Sequence, residues 1–534
     1  MYRIKTTSSR LIIAVSILII VCGNFSFLNQ VLEVYPLNVK NGLFIASLAV
    51  MFACGNILVF SLVCYKYTLK PVLITVLLLS SLAAYFMDSY HVIIDDVMID
   101  NIFNTDSAEI FDLVTIKSVL YFVLLGIGPS VLVYTTTIVS TSQRTAISAR
   151  LILSGSCVGI VVLCGIFFGD SYASFFREHK PLRYHANPSC YVYSAGKYLN
   201  RFFKNKSNKF SFIGLDAKIP TSDEHRELII FVVGETARAD HFSLNGYRRK
   251  TNPLLEKESV ISFKNFWACG TSTAISVPCM FSIYGRYNYD KNLAKQSDNV
   301  LDVLQRSGVN VVWFDNNSGS KGVADRVPFT SYKSLEVNTV CDIECRDEGM
   351  LVDLQQYIDN HTRGDIFIVL HQMGNHGPAY YKRYPAQFEI FTPTCQTNQL
   401  EQCSDESVIN SYDNAIVYTD HFLAKAIKLL SKNNDQFESA LFYVSDHGES
   451  LGENNMYLHG LPYWLAPDSQ TNVPVIMWFS DSYDEDEIDF IDLKNNINKK
   501  YSHDNIFHTI LGLMEVKTTV YDPEMDIIKH GHYK

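Results

Sequence analysis

Asp446 and His447 are adjacent, follow the apolar run Ala440–Val444 and precede Gly448, and Glu235 follows a second such run, Leu228–Val233. Two carboxylates and an imidazole, with one position left open, are the ligand set of a catalytic zinc. Any one of the three could equally be structural, so the signal lies in their convergence. A nucleophile for such a centre is offered by Cys269-Gly270-Thr271-Ser272-Thr273-Ala274-Ile275-Ser276-Val277-Pro278-Cys279. A hydroxyl-rich turn entering a helix supplies backbone N–H groups and the positive end of the helix dipole, where a phosphate is held. A free hydroxyl is a poor nucleophile, and contact with zinc would acidify it. The plain alternative is that Thr271, Ser272 and Thr273 cap a helix.

Residues of this kind need a frame. From about residue 226 onward, short β-rich runs alternate with helical patterns: Leu228–Val233, Val309–Phe314, Ile366–Leu370, Ala440–Val444 and Val473–Phe479 against Val300–Arg306, Met350–Ile358, Val408–Leu430 and Ile506–Met514. That alternation predicts an α/β domain with a central, mostly parallel sheet. Ligands of such sheets bind beyond the carboxyl ends of strands, where Glu235, the Gly374-Asn375-His376-Gly377 turn and Ser445–Glu449 all fall.

The first 169 residues read differently. Five apolar stretches, about 11–32, 41–65, 71–87, 116–139 and 149–168, are each long enough to cross a hydrocarbon core, predicting an α-helical five-span membrane domain. Arg3, Lys5 and Arg10, then Lys66 and Lys70, then Arg144 and Arg150 flank alternate ends, whereas the loop from Asp88 to Ile116 is acidic and lacks Lys and Arg. The positive-inside rule therefore expects a cytoplasmic N-terminus and an external C-terminal domain. A cleaved signal peptide is the alternative for the first stretch, but four more spans follow. Residues 170–225 are expected to bridge the two parts, with 191–204 as a helix lying on the membrane surface or packed on the domain. A net charge of −10 argues against a nucleic-acid partner.

Five cysteines fall in the spans. Outside them, Cys269 with Cys279, Cys341 with Cys345 and Cys395 with Cys403 form close pairs suited to disulfides in an oxidising compartment; Cys190 is left over. A zinc cluster would want matched CxxC pairs, which are lacking.

The segments GETARADHFSLNGYRRKTNP (234–253), CGTSTAISVPCMFS (269–282), DNNSGSKG (315–322), HQMGNHGPAYYKRYP (371–385), SDHGESLGE (445–453) and YLHG (457–460) resemble the phosphoethanolamine transferases of Gram-negative bacteria, in the lipid A modifying branch that includes the mobile colistin-resistance enzymes. The resemblance covers essentially the whole chain. It implies the alkaline phosphatase and sulfatase fold, an inner-membrane location with a periplasmic catalytic domain at 226–534, and zinc, with one ion firmly bound and room for a second. Glu235, Thr273, Asp446 and His447 would bind that zinc, and Thr273 would become phosphorylated. His376 and His459 match positions for substrate or a second zinc, and Asn317 and Lys321 match contacts to the phosphate. Asn101, Thr105 and Glu109 match positions near the donor headgroup; their i, i+4, i+8 spacing suits one helix face, as it would a solvated acidic helix. Phosphatidylethanolamine would be the donor and a lipid A phosphate the acceptor, in a ping-pong transfer.

Rivals share parts of this pattern. A sulfatase would carry CxPxR, but Met280, Phe281 and Ser282 follow Cys279. A simple phosphohydrolase needs no five-span anchor. An LPS core sugar or an osmoregulated glucan remains an alternative acceptor, because the same phosphothreonine chemistry would reach it.

Overall fold

The computed structural model describes residues 4–104, 107–139, 142–178, 180–204, 209–220, 225–483 and 488–528. The chain divides into two compact units, one of Met1–Asp100 with Val114–Phe203, the other of Asn101–Leu113 with Lys204–Lys534.

In the first unit, Asn41–Val63, Leu69–Tyr90, Ile116–Thr135 and Gln143–Gly169 are helices long and apolar enough to cross a membrane. A fifth crossing is made only if Ser8–Cys22 and Phe25–Val34 count together, and these meet at 58°. The sequence suggested one uninterrupted span here. The bend has a local cause. At Gly23 an added Cβ would come within 2.8 Å of the Ile19 carbonyl oxygen. Asn24 Nδ2 then donates to Ile19 O and Asn187 O (both 2.9 Å), and Asn187 Nδ2 donates to Gly23 O and Ser80 O (both 2.9 Å). Two buried amides thus satisfy carbonyls that a break in an apolar bundle would otherwise strand. Leu151, Ile166 and Phe167 are exposed on the helix Gln143–Glu178, as lipid-facing side chains must be.

That helix runs beyond residue 168 into the stretch read as a bridge, and Ser189–Lys204 is a further helix of the first unit. Its Cys190 and Tyr191 are buried, with the Tyr191 hydroxyl 3.0 Å from Ser80 Oγ, while Val192, Tyr193 and Leu199 are exposed. Cys190 is a free thiol.

The main sheet of the second unit has seven strands among the described residues: β1 (Glu227–Gly234), β2 (Ile261–Phe263), β3 (Asn310–Asp315), β4 (Phe329–Ser331), β5 (Ile366–His371), β6 (Glu438–Ser445) and β7 (Val475–Phe479). Their spatial order is β2-β7-β6-β1-β5-β3-β4. β6, β1, β5, β3 and β4 are parallel, and β7 runs antiparallel to β6 and β2. β1, β5 and β6 are buried along their whole length, which is why they read as continuous rather than alternating apolar runs. Register brings the carboxyl ends level: Gly234 pairs with Ser445, Val233 with His371, and Asp315 with His371. Whatever follows those residues must meet in one place.

The helices Thr273–Met280, Val300–Ser307, Asp405–Ser431 and Ile506–Leu513 belong to the same unit. Phe231 of β1 sits at the centre of the core, its ring 5.3 Å from that of Phe281 and 5.0 Å from that of Phe442. The disulfides Cys269–Cys279, Cys341–Cys345 and Cys395–Cys403 are all formed, as the pairing in the sequence suggested.

Candidate active site

Thr273 is the first residue of the helix Thr273–Met280, reached through extended Ser272. Neither neighbouring hydroxyl caps the helix: Ser272 makes no capping bond, and Thr271 Oγ1 donates to Leu461 O at 2.6 Å. The turn before it is tight, since a Cβ on Gly270 would lie 2.6 Å from Ile275 Cγ2. The Cys269–Cys279 disulfide closes it. The Cys269 N–H donates to His503 Nδ1 (3.1 Å), so His503 Nε2 carries the proton and donates to Ser445 O (3.0 Å). His503 is fully buried, which lowers its pKa to about 3 and keeps it neutral for this bridge between the nucleophile turn and the end of β6.

Thr273 Oγ1 lies 3.2 Å from both carboxylate oxygens of Glu235 and 3.4 Å from His447 Nε2. One donor atom each from Glu235, Asp446 and His447 falls within 4.8 Å of the others, and all three side chains are completely buried. The His447 Nδ1–H donates to Gly448 O at 2.9 Å, leaving the Nε2 lone pair turned to the carboxylates. Burial, then the neighbouring His459, lower the His447 pKa to about 3, so the ring is a neutral donor. Burial works against the charge on Glu235, but His447, His376 and the Thr236 hydroxyl hold its pKa down to about 2. Asp446 goes the other way, pushed well up by burial and by the charge of Glu235. Two buried carboxylates that cannot both ionise, plus a neutral imidazole, are what a divalent cation resolves by taking the place of the shared proton. Asp446 Oδ2 agrees with that fit: it is buried and makes no hydrogen bond among the described residues, with His447 Nε2 3.3 Å away. The residues present therefore suit a metal ion preferring N and O ligands. Gly448 is required on steric grounds, because a Cβ there would meet Ser469 O at 2.0 Å.

Of the remaining residues singled out in the sequence, Asn317 and His459 adjoin this cluster. Asn317 Nδ2 donates to Glu235 Oε2 (2.8 Å) and Gln372 O (2.7 Å). Lys321, on the same loop and in the left-handed region (φ 54°), donates from Nζ to Ser318 O (2.9 Å) and Oγ (2.6 Å). The His459 ring centre is 4.2 Å from that of His447 and 6.0 Å from that of His376. Asn101 lies on the helix Asp96–Asn104 and opens the segment that groups with the second unit. Thr105 and the Glu109 side chain lie outside the described residues.

Several participants gave no signal on their own. Glu449 is buried completely and lies 3.3 Å from His459 Nδ1, orienting that ring. Asp347, also buried, accepts from Met373 N (2.8 Å), Gly374 N (3.1 Å) and Asn316 Nδ2 (2.7 Å), which fixes the turn carrying His376. Arg383 Nε donates to the His376 carbonyl at 2.6 Å. Thr236, next to Glu235, has φ 57°. Glu449 and Thr236 sit inside quoted motifs, and only that adjacency pointed to them.

A mostly parallel sheet with carboxylates, an imidazole and a hydroxyl gathered at its strand ends, able to hold a metal ion, defines a domain of the alkaline phosphatase and sulfatase type, here joined to a membrane-spanning unit. The Sulfatase family model matches residues 227–516, and the model for phosphoethanolamine transferase EptA/EptB matches residues 52–202. The chain is 42% identical over 489 residues to the phosphatidylethanolamine transferase Mcr-1 of Escherichia coli, covering 89% of this chain and 90% of that one. It is 43% identical over 525 residues to phosphoethanolamine transferase EptA of Salmonella typhimurium, covering 96% and 95%. The structure of the integral membrane lipooligosaccharide phosphoethanolamine transferase A from Neisseria meningitidis superposes with a TM-score of 0.95 at 34% identity, over 99% of this chain and 100% of that one. The chain belongs to the EptA-type phosphoethanolamine transferase family.

Proposed function

We propose that this protein moves phosphoethanolamine from phosphatidylethanolamine to a lipid A phosphate through a phosphothreonine at Thr273, and so confers resistance to colistin and polymyxin. The observation that carries the reading is the Thr273 hydroxyl, 3.2 Å from both oxygens of Glu235 and 3.4 Å from His447 Nε2 at a helix N-terminus. Membership in the transferase family supplies the group transferred.

Glu235, Thr273, Asp446 and His447 are the residues that would hold zinc, which when bound supplies Lewis-acid stabilisation of phosphoryl charge and acidifies the hydroxyl. In the first half-reaction Thr273 Oγ attacks the donor phosphorus as the bond from phosphorus to the diacylglycerol oxygen breaks. Thr273 gives up its proton and the departing diacylglycerol gains one. In the second, an oxygen of the lipid A phosphate attacks the same phosphorus, the bond to Thr273 Oγ breaks, and the hydroxyl is restored with the acceptor's proton. His459, oriented at Nδ1 by Glu449, and His376 carry protons on this side of the site or hold a second metal. Asn317, Lys321 and the helix N-terminus hold the phosphoryl oxygens. By resemblance to the family, Asn101, Thr105 and Glu109 would contact the donor headgroup.

The basic residues flanking the spans and the three disulfides support an inner-membrane protein with a cytoplasmic N-terminus and a periplasmic catalytic unit. Adding an ammonium to lipid A cancels part of its negative charge, which weakens the binding of cationic peptides. Mass spectrometry of lipid A from cells expressing the wild type or Thr273→Ala tests the reading. A gain of one phosphoethanolamine mass in the first and none in the second is expected; identical spectra would overturn it.

A further inference from the structure

The turn that presents Glu235 is built around a residue ill-suited to its backbone. Thr236 is β-branched, completely buried and left-handed, with φ 57°. That region crowds a side chain against the following carbonyl, and it is a genuine outlier for a β-branched residue. Glycine would take the conformation without strain. The turn is fixed from outside rather than by local preference: the Tyr412 hydroxyl donates to Thr236 O (2.7 Å) and the Ala237 N–H donates to Ser445 Oγ (2.8 Å). What threonine adds there is its hydroxyl. Thr236 Oγ1 donates to Glu235 Oε1 at 2.6 Å, while the Thr236 N–H donates to Asp446 Oδ1 at 3.1 Å. Thr236 thus donates to both carboxylates of the cluster. With Asn317 on Glu235 Oε2 and the His447 N–H on Asp446 Oδ1 (2.7 Å), these bonds fix how each carboxylate is turned and leave Asp446 Oδ2 bare toward His447.

We propose that Thr236 is a positioning residue for the metal ligands, kept in a strained conformation because its hydroxyl and N–H together set the orientation of Glu235 and Asp446. The inference rests on the proposed zinc-dependent transfer. It assigns Thr236 no contact with substrate, and its effect reaches the reaction through the two carboxylates. Hydrogen-bond partners of this kind typically change metal affinity or activity by about 10- to 100-fold when removed.

The test uses the full chain in detergent, with zinc alone as the probe. Zinc affinity is measured by competition with a chromophoric chelator, and thermal unfolding is measured without metal. Thr236→Gly and Thr236→Val both lack the hydroxyl, and each is expected to lose at least about tenfold in zinc affinity. Without metal, Thr236→Gly is expected to unfold at a higher temperature than Thr236→Val, because only glycine relieves the left-handed strain. Thr236→Ser is expected to stay within about threefold of the wild type, the hydroxyl being restored. Zinc affinity within twofold of the wild type in the glycine and valine variants would overturn the proposal, as would a metal-free valine variant more stable than the glycine one. A wild-type chain that binds no zinc would overturn this inference and the metal assignment together, whereas a wild type that binds it alongside unaffected variants would sink this inference alone.

Discussion

The two walls of the site are made differently. Glu235, Asp446 and His447 stand directly on the ends of β1 and β6, completely buried, with Glu235 held by Thr236 and Asn317, Asp446 by two backbone N–H groups, and His447 by the Gly448 carbonyl. His376 and His459 stand on loops further from the sheet, and the His459 side chain is 19% exposed. His459 is oriented by one carboxylate, and His376 is held through its own backbone, by Arg383 at its carbonyl and by the Asp347 anchor of its turn. Ligands that must not move are placed on strands whose register fixes them. Under the proposed function, the groups that would meet first a phospholipid and then a bulkier acceptor stand on loops, where water and substrate can enter.

The largest effect should come from the rigid wall. Replacing Asp446 with asparagine alters a carboxylate whose Oδ2 is buried without a hydrogen bond among the described residues, and lowers the charge available to a cation. Loss of zinc from the purified chain and at least about a 10³-fold fall in transfer are expected, measured by metal analysis and by a fluorescent phosphatidylethanolamine assay. Zinc retained at full stoichiometry would break the comparison at its stronger side. Next in size is His459→Ala, which should lower the rate by about 10²-fold as a proton-carrying group is lost, while the zinc held by Glu235, Asp446 and His447 stays in place. Loss of that zinc would mean the two walls form a single unit. Smaller still is Glu449→Gln, which keeps a side-chain oxygen near His459 Nδ1 and removes only the charge that orients the ring. A fall of about tenfold in kcat with KM little changed is expected; a larger loss in KM would make Glu449 a substrate contact instead.

The rigid wall was also the more legible one. The runs Leu228–Val233 and Ala440–Val444 are buried on both faces, so composition alone announces them, and the polar residue after each must fall at the strand end. Thr273 was singled out by the resemblance to the family, since a helix cap explained the hydroxyls of that segment equally well. What stayed hidden depends on partners distant in sequence. His503 bridges Cys269 and Ser445 from near the C-terminus, and nothing around it marks the role. The bend of the first membrane helix depends on Asn187, more than 160 residues downstream, so the apolar run read as one straight span. β7 reads like the parallel strands because its burial is the same, and its reversed direction lies in the connections rather than in its composition. The left-handed Thr236 opposes its own local preference and could not be foreseen from it.

A buried carboxylate outside the site extends the comparison to a group whose ionisation burial opposes. Asp526 is buried, accepting from the Tyr521 hydroxyl (2.7 Å) and from Ile528 N (2.9 Å). Burial pushes its pKa up to about 7, and hydrogen bonds from Tyr521, Ile528 and Thr509 offset the shift only in part. Glu235, by contrast, is held at about 2 beside His447, His376 and the Thr236 hydroxyl. Because the folded pKa is raised, the folded state keeps a proton that the unfolded chain releases at about pH 4. Stability from this group is therefore full below about pH 4, falls by at most about 1.4 kcal/mol per pH unit as pH rises toward 7, and is gone above it. Asp526→Asn preserves the shape, with its carbonyl oxygen accepting from Ile528 N and its amide donating to the Tyr521 oxygen, and it does not titrate. The variant and the wild type should unfold at similar temperatures near pH 4, and the variant should be the more stable by a few kcal/mol at pH 8, with transfer activity unchanged. A constant difference between the two from pH 4 to pH 8 would mean that Asp526 keeps its charge throughout, and that burial does not raise its pKa.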